Sequence, residues 1–351
     1  MNPDVKRLQA PRELIDLNLT YRKNAWRFLS FLVCIGILIA AFAVSGVWMR
    51  RDKFFESDTP TTPSDGAVSE QDSDELTNSS DHSDSKPPNV EIPENAIPVI
   101  SLDLSCGDRA LLQNQTAYSP NLDEIKKKFQ PKSISSDAPL VLILHTHAQE
   151  TYLAPNTDYI IGDLDRELYS AESGRSVIEV GRALCDSLNQ NGIPAIQCTE
   201  KHGMDGTLQN AYTHAAACIE AYLKKYPSIQ YVIDLHRDGI LDSDGGLIRT
   251  HTIHQEESMA QVMAVVGTDG NGTHCPNWQQ NLSLALRLYE GLDMETERLC
   301  RPISLRNASY NQELAPTSLL LEIGSAGNTL EEAIRTAKLV GAVLSALIRN
   351  G

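Results

Sequence analysis

Hydrophobic and polar positions along this chain fall into three regimes. From Phe28 to Met49 the sequence FLSFLVCIGILIAAFAVSGVWM runs for 22 residues without a charge. As a helix rising 1.5 Å per residue it would be about 33 Å long, enough for a hydrocarbon layer of about 30 Å. Trp26 and Trp48 stand near its ends, where indole rings favour an interface. Small-x-small signals occur only inside the apolar run, so an uncleaved membrane anchor is expected rather than a removed leader. Lys6, Arg7, Arg12, Arg22, Lys23 and Arg27 precede the run, whereas Arg50, Arg51 and Lys53 follow it. That asymmetry predicts a single-pass cell-membrane topology with a cytoplasmic N-terminus and an extracytoplasmic C-terminal part.

The second regime, Phe54 to Val90, has no periodicity. It is rich in Ser, Thr, Asp, Glu and Pro, with nine acids against one base, Lys86. Such a segment buries too little apolar surface to offset its ordering entropy, and it is expected to be a disordered spacer.

In the third regime apolar runs alternate with amphipathic stretches. The piece VISLDLS predicts a strand and NLDEIKKKF a short helix. From Pro139 onward the reading is LVLIL (strand), Ser176 to Leu188 (helix), GIPAIQC (strand), Leu208 to Tyr226 (helix) and IQYVIDL (strand). Met259 to Val266 (strand), Trp278 to Leu292 (helix), SLLLEIG (strand) and Thr329 to Arg349 (helix) complete it. Continuous apolar strands between long helices indicate an α/β fold, a mixed sheet flanked by helices. Asn328 or Thr329 would cap the last helix, with Glu331 and Glu332 in its first turn. The expected organisation is an N-terminal segment (1–27), an anchor (28–49), an acidic linker (50–97), a front extension of the folded region (98–136) and a main α/β domain (137–351).

Composition narrows the function. Thirty basic and 46 acidic residues give a formal charge of −16, which argues against non-specific nucleic-acid binding. Seven scattered cysteines without a Cys-x-x-Cys pair disfavour a disulfide scaffold, a zinc finger and a thioredoxin-like centre. No P-loop, Gly-x-Gly-x-x-Gly or Gly-x-Ser-x-Gly motif is present. Cys275 and Cys300 lack the context of a catalytic thiol.

Ionisable residues instead gather where apolar strands end. LVLIL runs into His145-Thr146-His147 with Glu150 close behind, IQYVIDL into His236-Arg237-Asp238, and SLLLEIG carries Glu322. The carboxyl ends of strands form the crevice of open α/β sheets. Imidazoles and carboxylates there suit zinc, whose catalytic sites take three protein ligands and leave one position open. The spacing is unlike His-Glu-x-x-His, so a thermolysin-type helix site is excluded. A metal hydrolase is favoured over another α/β enzyme or a binding domain.

Four motifs, HTHAQETY (145–152), IDLHRDG (233–239), RPISLRNASYNQEL (301–314) and LLEIGSAGNTLEEA (320–333), together resemble the stage II sporulation protein P family. The resemblance runs from about Ser101 to the C-terminus. It implies an amidase-like fold of the phosphorylase/hydrolase-like kind and a Zn2+-dependent N-acetylmuramoyl-L-alanine amidase in residues 137–351. The enzyme would release stem peptides from peptidoglycan during sporulation engulfment, in the septal intermembrane space. Crosslink endopeptidase activity and a non-catalytic wall-binding role are the alternatives. Implied partners are a septal lytic transglycosylase and a polytopic membrane protein of the engulfment machinery.

Carried over by residue, the resemblance makes His236 a metal ligand. His145, which directly follows its strand, is preferred as the other histidine, with His147 as its rival or outer partner. In an extended segment the two would share a face, and spacing does not separate them. Glu172 matches the carboxylate ligand of the related amidases, with Glu150 as the alternative. Glu322 matches the catalytic glutamate. Asp234 and Asp238 could orient a ligating imidazole, or either could form a salt bridge to Arg237. Arg237, Arg301 and Arg306 suit carboxylates of a stem peptide, and Asn311 and Asn328 could orient Glu322 or substrate.

Overall fold

The computed structural model describes residues 93–350, except 94, 107–110, 132–133, 135–137, 171–172 and 203–207. Its strands are β1 (Ile97–Leu102), β2 (Leu112–Asn114), β3 (Val141–Leu144), β4 (Tyr159–Ile160), β5 (Ala195–Gln197), β6 (Tyr231–Asp238), β7 (Leu247–His254), β8 (Glu257–Ala260), β9 (Val262–Gly267), β10 (Ile303–Arg306) and β11 (Thr317–Ser325). Its α-helices are α1 (Leu122–Lys126), α2 (Leu164–Leu168), α3 (Val177–Gln190), α4 (Leu208–Lys225), α5 (Trp278–Glu295) and α6 (Leu330–Asn350).

Seven strands form the main sheet in the order β2-β10-β9-β11-β6-β3-β5. The four strands β11, β6, β3 and β5 are parallel, and β9 meets β11 antiparallel, so the sheet is mixed as expected. A strand presents alternate residues to opposite faces. Val141 and Ile143 of β3, Tyr231, Ile233 and Leu235 of β6, and Leu319, Leu321 and Ile323 of β11 therefore join one core with α3, α5 and α6. The intervening Leu142, Leu144 and Val232 pack against Ala215, Cys218 and Ile219 of α4 on the other face. Each such buried aliphatic side chain contributes about 1.5–3 kcal/mol, which explains why these strands lack the polar alternation of one-sided sheets. Further along the second face, Met263, Val265 and Leu320 form a small apolar patch with Tyr310.

A second sheet, β4-β1-β7-β8, was not legible beyond β1. Its strand β7 reads LIRTHTIH and is half exposed, and its partner β1 lies about 150 residues earlier in the chain. The expected strand Met259 to Val266 is cut at Gln261. There the buried side chain receives the Leu104 amide and donates to Asp103 and the Arg298 carbonyl, so β8 and β9 separate into different sheets. Residues 98–136 supply β1 to this second sheet and β2 to the edge of the main one, beside β10.

The expectation of a single-pass membrane protein is corrected at this point. Among the described residues no helix is long and apolar enough to cross a membrane. The longest, α6, has 21 residues but carries Glu331, Glu332, Arg335, Lys338 and Arg349, and it buries only the face turned to the core. The run 28–49 and the spacer 54–90 lie outside the described residues. Neither the membrane-spanning element of the fold nor the localisation built on it is supported.

One polar network ties the second sheet to α6. Thr329 and Glu332 form a reciprocal capping box: the Thr329 amide donates to Glu332 Oε2 at 3.0 Å, and the Glu332 amide to Thr329 Oγ1 at 3.4 Å. Glu332 also accepts two bonds to Oε1 from Arg249 of β7, at 3.0 and 2.6 Å, and one from Ser258 of β8. Burial alone would raise its carboxyl, but the bond from Arg249 and those from Ser258, Thr329 and Asn328 hold it below its ordinary value. A lowered folded-state pKa contributes stability that is present above the unfolded value and is lost as pH falls through the folded one. Glu332→Gln should cost about 2–4 kcal/mol at neutral pH. Its unfolding midpoint in denaturant should also lose part of the wild-type decline on acidification; an unchanged midpoint at neutral pH would contradict the network.

Candidate metal centre

The turn after β3 decides where its two histidines go. His145 continues the parity of Val141 and Ile143 and points into the α3 face, fully buried. Its Nδ1–H donates to the Leu235 carbonyl at 2.9 Å, and the Gln197 amide, which also donates to the Ile178 carbonyl, reaches its Nε2 at 2.9 Å. A Cβ on Gly181 of α3 would collide with its ring. Burial pushes the His145 imidazole down to about 4, so it is a neutral core group with both nitrogens engaged. Residues 146–149 then leave the extended path and form a turn. That turn sends His147 to the opposite side from His145, so the premise of a shared face fails.

His147, Glu150 and His236 converge instead, each offering one ligand atom within 4.8 Å of the others. Glu150 lies between the imidazoles: Oε1 is 3.5 Å from His147 Nδ1 and Oε2 is 3.5 Å from His236 Nδ1. The rings stand nearly perpendicular, with centroids 5.1 Å apart. Behind His236, Asp234 Oδ1 is 3.0 Å from Nε2, and Asp234 is itself held by the Thr146 amide at 2.9 Å and hydroxyl at 2.6 Å. A carboxylate behind a ligating imidazole fixes the ring and raises its basicity. Glu172 lies outside the described residues.

The electrostatics of the cluster favour positive charge between its carboxylates. Burial would lower the His236 imidazole, yet Asp234 and Glu150 on either side push it well above its ordinary value. Burial would raise Glu150, yet the charge of His236 and the contacts from His147, His236 and Arg237 hold it well below the carboxylate range. His147 Nε2 and Glu322 Oε2 are buried with no hydrogen-bond partner. Two imidazoles and one carboxylate, with buried polar atoms unspent beside them, form a donor set that fits a divalent metal ion with an open position.

Glu322 enters through sheet register. It lies directly opposite His236 in the parallel β6–β11 pair, and its parity puts it on the α4 face with His236 and Asp234. It lines the same cavity of about 320 Å³ as His147, Glu150 and His236. Burial, and then the nearby Asp238, push its carboxyl up to about 8. Met263, Val265 and Leu320 form an apolar wall of the cavity, Tyr212 and Tyr310 an aromatic one, and Arg306 lies among the lining residues. Sequence reasoning passed over both tyrosines as site residues. Tyr212 sits edge-on to His147 with centroids 5.6 Å apart and 6.0 Å from Tyr310, a contact between α4 and the loop after β10 that local pattern does not encode.

The arginines and asparagines have mostly structural partners. Arg237 donates to the Thr151 carbonyl at 3.0 Å and the Leu168 carbonyl at 2.7 Å, its guanidinium lies over Tyr169, and its amide donates to Glu150 Oε2. It holds the segment that carries Glu150. Asp238 pairs with Arg301 at 2.6 Å. Asn311 donates to the Tyr212 carbonyl from a left-handed backbone with φ of 58°. Asn328 bonds Thr250, Ser325 and Glu332 at the start of α6, so its contacts belong to the turn and not to Glu322.

Comparison with known proteins adds the following. Residues 50–345 match the family Stage II sporulation protein P (SpoIIP). Stage II sporulation protein P of Bacillus subtilis (strain 168) is 29% identical over 246 residues, which are 64% of this chain and 57% of that protein. The chain thus spans a little over half the length of this curated relative. Among solved structures, the CwlD amidase from Clostridioides difficile in complex with the GerS lipoprotein is 11% identical, with a TM-score of 0.39, over 60% of this chain and 100% of that one. The N-acetylmuramoyl-L-alanine amidase AmiC2 of Nostoc punctiforme is 13% identical, with a TM-score of 0.34, over 61% and 97%. At such TM-scores these two likenesses carry no argument about the site. The match over residues 50–345 contains the four motifs that build the cavity, and the chain belongs to the stage II sporulation protein P family.

Proposed function

We propose that this protein is a zinc-dependent peptidoglycan hydrolase that cleaves the N-acetylmuramoyl-L-alanine amide and releases stem peptides from glycan. The observation that carries the reading is the convergence of His147, Glu150 and His236 in one cavity, with Glu322 opposite His236 on the neighbouring strand. Family membership supports wall cleavage as the context. In this reading His147 and Glu150 take the places that His145 and Glu172 were expected to fill.

A zinc ion held by His147, Glu150 and His236 would supply Lewis acidity, polarising an amide carbonyl and lowering the pKa of water. Asp234 lies against the His236 ring as its ionic partner, and Arg237 holds the segment bearing Glu150. Glu322 takes the proton from water and returns it to the leaving amine. Its affinity for that proton is enhanced by burial beside Asp238, in a wall whose other groups are apolar or aromatic. Arg306, held by Ser304 and Gln115 through Nε and Nη1, lines the cavity where its charge suits a carboxylate of the stem peptide.

Three outcomes test this assignment. Glu322→Gln should retain zinc, measured by elemental analysis, while peptide release from purified sacculi falls about 10²–10⁴-fold; wild-type release would exclude Glu322 as the base. His147→Ala and His236→Ala should each lose that zinc, whereas His145→Gln should keep it and lower only the unfolding midpoint. Zinc lost with His145 and kept with His147 would reverse the assignment. Mass spectrometry of the released fragments should show free stem peptides beginning at L-alanine; intact glycopeptides with only the crosslinks opened would establish endopeptidase action instead.

A further inference from the structure

A second cluster lies at the same edge of the sheet, outside the cavity just described. Cys198 follows β5, whose parallel pairing with β3 brings its end to the side where β3 delivers His147 and Glu150. The Cys198 amide donates to the Ile143 carbonyl at 2.8 Å, which anchors the residue to the sheet. Cys218 comes from α4, packed on that face, and its sulfur is 2.8 Å from that of Cys198. His202 lies in the connection between them, only 4% exposed, and its Nε2 is buried with no hydrogen-bond partner. Glu200 is exposed at the rim. The four side chains each offer a ligand atom, all within 4.8 Å of one another.

We propose that Cys198, Glu200, His202 and Cys218 form a second metal site, structural in kind, for a thiophilic divalent cation such as zinc. The number and chemistry of donors separate it from the first cluster. Two imidazoles and a carboxylate leave a coordination position free, as catalysis requires; two sulfurs, an imidazole and a carboxylate close a tetrahedron. Soft thiolates select zinc over the hard cations that carboxylates alone would hold. A disulfide would account for the sulfurs but would leave the buried His202 Nε2 without a partner. The sulfur separation lies between an S–S bond of about 2.05 Å and the roughly 3.8 Å that zinc–sulfur bonds of about 2.3 Å would set, so a small opening of the pair admits the ion.

On binding, the thiol protons would pass to solvent as the cation takes their place. The ion would clip the end of β5 to α4, the helix that carries Tyr212 into the cavity. The inference does not depend on what the cavity cleaves.

The full chain, purified under reducing conditions, should contain about two zinc per molecule, and His147→Ala should remove only the cavity ion. Replacing zinc with cobalt should produce a thiolate-to-cobalt charge-transfer band in the near ultraviolet, since only this cluster contains sulfur. The band should persist in His147→Ala and vanish in Cys198→Ser/Cys218→Ser, which should lose about one zinc. Titrating wild-type protein with a mercurial gives a readout that needs no variant to fold: one zinc should be released in step with modification of two thiols. Absence of the band in wild type, or thiol modification without zinc release, overturns the proposal. So does a Cys198–Cys218 disulfide recovered by non-reducing peptide mapping from protein holding a single zinc.

Discussion

The parallel pairing of β6 with β11 is the constraint on which the rest of the site depends. Six consecutive residue pairs set its register, and the last of them places Glu322 opposite His236 before the pairing shifts ahead of Ser325. Strand periodicity then leaves no freedom. Leu319, Leu321 and Ile323 must enter the core under α3, α5 and α6, so Glu322 must face the other way. A slip of one residue would bury the carboxylate among leucines and turn the leucines to the cavity. The apolar burial that stabilises the centre of the sheet thus aims the catalytic candidate.

Around that pair the protein assembles an excess of carboxylate and then restrains it. Asp234 and Glu150 flank His236, and Asp238 stands near Glu322. Arg237 and Arg301 are occupied in the surrounding framework, the first on backbone carbonyls and the second on Asp238. Neither cation is placed between His147, Glu150 and His236. His147 Nε2 and Glu322 Oε2 stay buried without a hydrogen-bond partner, which suits the proposed metal site better than a closed ion-pair network.

The two histidines of His145-Thr146-His147 show how a short motif divides its labour. His145 is a packing and hydrogen-bonding element, pinned by Leu235, Gln197 and the missing Cβ of Gly181. His147 is the group presented to the cavity. His145 packs at the end of β3 from which the turn to His147 and Glu150 departs.

Much was legible in the amino-acid order. The continuous apolar runs determined the central strands and their flanking helices, because burial on both faces excludes polar alternation. Strand ends rich in His, Asp and Glu marked where ionisable side chains gather, and strand period puts His236 and Glu322 on the face opposite the core leucines. Tertiary structure alone decided what depended on partners distant in the chain. The second sheet needed β1 to meet β7, and the break at Gln261 needed Asp103 and Arg298. Tyr212 had to arrive on α4, and Cys198 had to meet Cys218. That His147 and not His145 lines the cavity turned on a departure from extended backbone, which residue identity leaves open: side-chain pattern specifies a face only while the backbone keeps its period.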